Sequence, residues 1–160
     1  MTLSTTQTRS LSDALSGHRF GMLVTQDGSQ LTSRPLTVLE QEDDVLRFLV
    51  DADADWTPEA DGRVVHVAFA DPKGNSFVSL VGAGRTSSDP EAIARLYSGA
   101  ADVFFDGPDD PRIRVLEVRI SSGEWWDGPS GRAGNLLALA AAKITGDADK
   151  AGDSGSIDLR

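Results

Sequence analysis

The chain contains no cysteine. Disulfides, thiol nucleophiles and thiolate metal sites are therefore excluded. Lysine is nearly as scarce, with only Lys73, Lys143 and Lys150. Almost all the positive charge is arginine, and acid outweighs it: 15 Lys+Arg against 25 Asp+Glu, a formal net charge of -10. Such a chain repels phosphate backbones and anionic bilayers, so no nucleic-acid or membrane partner is expected. No apolar run approaches the ~20 residues that cross a bilayer. The segment Met1–Ser10 lacks the apolar stretch of a secretion signal. A cytoplasmic protein is the expectation. Histidine is limited to His18 and His66, with no His-x-x-x-His pair.

The length of 160 residues suits one domain. Residues 1–9 read as a disordered lead-in, 10–145 as the folded domain, and 146–160 as a flexible polar tail. Ser10–Ser16 carries a short helical pattern with Leu11, Ala14 and Leu15 on one face. Arg19–Thr25 and Gln30–Leu39 read as two strands joined through Asp27-Gly28, a strong hairpin signal. Glu40–Asp44 reads as an acidic turn before a third strand, Val45–Val50. Thr57-Pro58-Glu59-Ala60 has proline near the start of one helical turn. Arg63–Ala70 is apolar on both faces, which places it inside a barrel or beneath a helix. Within the next strand, Ser76–Thr86, Gly82 and Gly84 mark a bend or a close backbone approach. Ser88 or Asp89 caps a helix with Pro90 in its first turn. Ile113–Ser121 is the sixth strand and Gly134–Ile144 an Ala/Leu helix. Six short strands and two or three helices predict a mainly β fold, a small antiparallel β-barrel with helical covers.

The run Ser33-Arg34-Pro35-Leu36 stands out within the second strand. Proline has no amide N–H, so it belongs at an edge, a strand start or a bulge, where backbone groups are free to meet a ligand. Further signals follow in order: Leu46-Arg47-Phe48-Leu49-Val50, Phe77-Val78-Ser79-Leu80-Val81-Gly82, Asp89-Pro90, Val103–Pro111 with its Gly107-Pro108-Asp109-Asp110, and Trp125-Trp126-Asp127. Taken together, this series resembles the FMN-binding split barrels related to pyridoxamine 5'-phosphate oxidase, in the branch of the bacterial general stress proteins. The resemblance implies a split antiparallel β-barrel and a homodimer with FMN in the groove between subunits. It also implies a flavin-dependent oxidoreductase if the protein is catalytic. By the same resemblance, Ser33, Arg34, Pro35 and Leu36 line the flavin ring. Phe48, Leu49, Val50 and Asp51 run past the ribityl chain, and Asp53–Trp56 meets the phosphate. Trp125 and Trp126 come from the other subunit or pack at the interface.

The chain departs from that family pattern at one place. Where FMN-binding relatives carry a hydroxyl, a serine and a lysine around the phosphate, this chain has Val50, Ala54 and Trp56. Asp51, Asp53 and Asp55 add negative charge, and like charge repels a phosphate. Arg47 and Arg63 are the candidate compensating cations. Trp56 either stacks on a ring or fills the vacated pocket. The alternative function is therefore a non-enzymatic dimeric split barrel that has lost FMN and binds another ligand or partner. Arg34 faces either the ligand or an acidic neighbour such as Glu40. The alternating acids from Asp51 resemble a calcium loop only superficially, with Trp56 and Gly62 where glycine and glutamate belong. No metal is expected. No residue stands out as acid, base or nucleophile, and no Gly-x-Ser-x-Gly elbow occurs. His66 reads as a hydrogen-bonded core histidine and His18 as exposed.

Overall fold

The computed structural model describes residues 7–128 and 153–159. The elements run β1 (Gln7–Ser10), α1 (Leu11–Ala14), β2 (Phe20–Asp27), β3 (Gln30–Thr37), β4 (Glu40–Glu42), β5 (Val45–Asp51), α2 (Thr57–Ala60), β6 (Val64–Asp71), β7 (Ser76–Ser87), α3 (Pro90–Leu96), a 3-10 turn (Gly99–Val103), β8 (Ile113–Asp127) and β9 (Asp153–Asp158). The expected mainly β fold is what forms. One sheet runs in the order β1-β9-β8-β7-β6-β2-β3, with β5 on β8 and β4 on β5. It forks at β8, whose first half pairs with β5 and whose far end pairs with β9. The sheet is antiparallel except for the parallel pair β1–β9.

The β2–β3 hairpin forms as its turn predicts. Asp27 pairs with Gln30, leaving Gly28-Ser29 as a two-residue loop with Gly28 at φ 57°. That left-handed conformation is one glycine adopts freely. Pairing then runs without a shift through Met22 and Pro35. Pro35 therefore sits on an edge strand and not at a bulge. The bulge lies elsewhere, between Val81 and Gly82, where Ser121 of β8 is the extra residue. It allows β8 to bend and continue to Asp127, well past the Ser121 boundary expected from sequence.

Both chain ends differ from expectation. The expected lead-in contributes Gln7–Arg9 to β1, and the expected polar tail contributes β9. The physical reason is Ile157, which is buried in the core although its neighbours are polar. Arg9 fastens β1 to β8, donating to Asp127 at 2.5 Å and stacking 3.5 Å over the Trp125 ring. The acidic turn expected at Glu40–Asp44 is instead a short strand, β4, held to β5. The predicted Gly134–Ile144 helix lies outside the described residues.

The main core gathers Leu23, Phe48, Val67, Leu80, Val118 and Trp125 from five strands. A second cluster beneath α3 joins Ile93, Leu96, Phe105, Ile113 and Val115. Among the described residues no helix is long and apolar enough to cross a membrane.

Candidate functional site

The edge strand β3 turns one side toward α2, and its polar residues meet there. Thr25 on β2 lies opposite Thr32, and its side chain is buried. Residues 32, 34 and 36 share one face of β3 by the two-residue period of a strand. Arg34 donates from Nη1 to Thr25 Oγ1 at 2.7 Å and from Nη2 to Thr32 Oγ1 at 2.6 Å. Thr25 Oγ1 in turn donates to Glu59 Oε2 at 2.9 Å. The guanidinium lies over the Trp56 ring, 4.6 Å from its centroid. Burial pulls the Arg34 pKa down and the Glu59 charge pulls it back up. An arginine stays protonated through such a shift. The acidic neighbour of Arg34 is thus Glu59, reached through Thr25, and not Glu40, which is engaged by Arg47 and Arg95.

The loop after β5 closes the other side. Its backbone is occupied internally: Asp53 N donates to Asp51 Oδ1 at 2.8 Å, Ala54 N to Asp51 O at 3.2 Å, and Thr57 N to Ala54 O at 3.0 Å. The Thr57 hydroxyl donates to Asp51 O at 2.6 Å. Arg112 reaches this loop at 3.3 Å from Asp51 Oδ2. Its main partner is Asp110, which it grips with Nη2 at 2.7 Å and Nε at 3.2 Å. That guanidinium, with the N–H groups of Asp106 and Arg112 behind it, holds the Asp110 pKa down at about 2. The folded pKa lies below the ordinary value of 3.8, so the link stabilises the fold in full above pH 3.8. It is lost as pH falls toward 2. Asp110→Asn should therefore lower stability at neutral pH, and the gap to the native chain should narrow in acid. Urea unfolding at pH 7, 4 and about 2.5 measures it, and a pH-independent gap would contradict this account.

A family model described as "Pyridoxamine 5'-phosphate oxidase like" matches residues 6–150. The chain belongs to this family. Solved structures agree with the assignment at the level of fold. A candidate general stress protein 26 from Jannaschia sp. CCS1 is 24% identical, with a TM-score of 0.70 over 92% of this chain and 94% of that one. General stress protein 26 from Bacillus anthracis str. Sterne is 16% identical, with a TM-score of 0.65 over 72% and 89%. A general stress FMN/FAD binding protein from Xanthomonas citri is 24% identical, with a TM-score of 0.64 over 74% and 86%. A search of the curated proteins finds no match.

In this pyridoxamine 5'-phosphate oxidase-like chain the residues singled out from sequence occupy three environments. Arg34 and Trp56 meet on the polar side of β3, where Trp56 also packs against the main core, with Asp51 at the start of its loop. On the opposite face of β3, Ser33 and Pro35 are exposed. Pro35 and the half-exposed Trp126 line one apolar depression of about 370 Å³ with Phe20, Met22 and Phe77. The third group is internal. Phe48, Val50 and Trp125 are buried in the main core, Leu36 packs against that core, and Leu49 packs on the cluster under α3. The Trp125 indole Nε1 finds no acceptor among the described residues.

Arg47 is not the compensating cation. It is held by Glu40, Glu42 and Glu117, and their hydrogen bonds raise its pKa. His66 belongs to the outer face, not the core, and lies 2.7 Å from Ser79 Oγ. His18 is half-buried, edge-on to Phe69 and 3.1 Å from Ser76 Oγ. Sequence reasoning missed Thr25, Thr32, Glu59 and Arg112. The first two were legible, since the two-residue turn after Asp27 puts Thr25 opposite Thr32.

The fit of FMN to these residues is uneven. A stacked guanidinium and indole suit a flat heterocycle. A phosphate dianion needs cations and open N–H groups. Around Asp51–Trp56 the amides of Asp53 and Ala54, the Thr57 hydroxyl and the Arg112 guanidinium already have protein partners.

Proposed function

We propose that this chain is a flavin-binding split-barrel protein of the general stress type, acting as a homodimer with its ligand groove at the subunit interface. The observation that carries the proposal is the contact between Arg34 and Trp56, two residues from separate segments that form one flat polar wall at the open edge of the sheet. Membership of the family and the FMN/FAD binding named for the Xanthomonas citri relative support flavin as the heterocycle. The uncharged depression around Phe20, Met22 and Trp126 supports a second copy as the cover of the outer face.

FMN supplies electron or hydride transfer when bound, and this is the basis of the oxidoreductase reading. The chain's own role is to bind and orient. Arg34 and Trp56 hold the ring, with Ser33, Pro35 and Leu36 along the strand that carries them. We place the protein in the cytoplasm, in keeping with a chain that has no cysteine to oxidise.

A second reading, a split barrel that has given up FMN for another ligand, is favoured by one observation: the engaged donors and clustered acids of the Asp51–Trp56 loop. Titration of dialysed protein separates the two readings. Flavin fluorescence should be quenched with micromolar or tighter affinity, and Arg34→Ala should weaken binding about tenfold, the size of one lost charge-assisted contact. Unchanged flavin fluorescence at high protein concentration would overturn the flavin reading.

A further inference from the structure

We infer that this groove selects its flavin by the ring and not by the phosphate, so that riboflavin binds at least as tightly as FMN. The inference rests on the flavin reading of the same groove and concerns what that groove rewards.

Two observations carry it. First, several donors that could grip a phosphate are occupied by the protein itself. The amides of Asp53, Ala54 and Thr57 bond within the loop, and the Thr57 hydroxyl bonds to Asp51 O. Arg112 is clamped on Asp110 and leans on Asp51. Arg34 directs both terminal nitrogens to threonine hydroxyls. Second, the same few residues gather the carboxylates of Asp51, Asp53, Asp55 and Glu59, with no lysine among them. A phosphate monoester carries about -1.5 to -2 charge at neutral pH. To enter, it must displace an acid from Arg112 or sit against like charge. The Arg34–Trp56 wall carries no such penalty, because an aromatic ring stacks on a guanidinium or an indole whatever its tail.

The test is parallel titration of the full chain with riboflavin and FMN, at low and high salt. Riboflavin should bind as tightly as FMN or tighter. Raising salt should strengthen FMN binding and leave riboflavin unmoved, since screening weakens repulsion. The variant D53S/D55S, which leaves the Arg34–Trp56 wall intact, should tighten FMN severalfold while leaving riboflavin unmoved. A native chain that prefers FMN by tenfold or more, or whose FMN affinity falls with salt, overturns the inference and leaves the flavin reading intact. Failure of both flavins to bind overturns the flavin reading, and the inference falls with it.

Discussion

Gly84→Ala should lower the stability of this chain by about 3 kcal/mol, the upper end for overpacking. A Cβ at Gly84 would run into the carbonyl oxygen of Ala60, and it would come within 3.4 Å of Leu116. The obstacle is backbone and cannot rotate away. Gly84 also accepts from Gly62 N at 2.9 Å and donates to Arg63 O at 2.9 Å, so the strand is stitched to the segment after α2. Moving α2 outward would uncover Ala60 and Thr57, both buried, and would drag Glu59 from Thr25. The Arg34 network would loosen with it. A domain of this size is stabilised by only about 5–15 kcal/mol in total. The expected fall in Tm is roughly 6–12 °C. Gly28→Asn is the control: nothing lies within 4 Å of its Cβ, and asparagine tolerates the left-handed turn. Urea unfolding of both variants decides the matter. A Gly84→Ala chain within about 0.5 kcal/mol of native, inside the range of neutral surface changes, would show that α2 yields freely.

The role of Gly84 is legible in the sequence. Two glycines in an otherwise apolar strand imply a close backbone approach, and Gly84 and Gly82 have Ala60 and Arg119 backbone against them. The hairpin from Asp27-Gly28 was equally plain, because its turn chemistry is local. What escaped the sequence is non-local. Nothing in Asp153–Asp158 alternates strongly enough to announce a strand; Ile157 becomes a core residue only because β8 bends past Ser121 and offers an edge. The site shows the same division. Arg34 and Trp56 were visible as unusual residues. Their contact, and the link through Thr25 to Glu59, depend on where the loop after β5 returns to the edge strand. Phe48 and Val50 are the opposite case. Strand alternation on β5 turns both into the core, so if they shape a groove they do so from beneath it.

The outer face carries the second large effect. Met22→Asp with Phe77→Asp should convert a dimer into a monomer of 17.0 kDa by sedimentation. Phe20 is 67% exposed, Met22 41%, Phe77 38% and Trp126 41%, and all four border the same depression with no charged residue among its lining. On a chain of net charge -10, an uncharged apolar surface is where a pair of copies can meet without strong repulsion. An aspartate buried there costs several kcal/mol even after relaxation, and a two-fold axis introduces each substitution twice. Dimer affinity should fall by at least about a thousandfold, or roughly 4 kcal/mol. The far-UV spectrum should stay native, because both side chains point away from the core. Flavin binding should fall with the dimer, since the proposed groove needs the second copy. Ala94→Asp, on the exposed side of α3, adds charge without touching this face and should remain dimeric. A native chain that sediments as a monomer at about 100 µM, far above the dissociation constant of a stable dimer, would remove the second subunit from the proposal. A double variant that stays dimeric would move the interface to another face and leave Pro35 and Trp126 outside it.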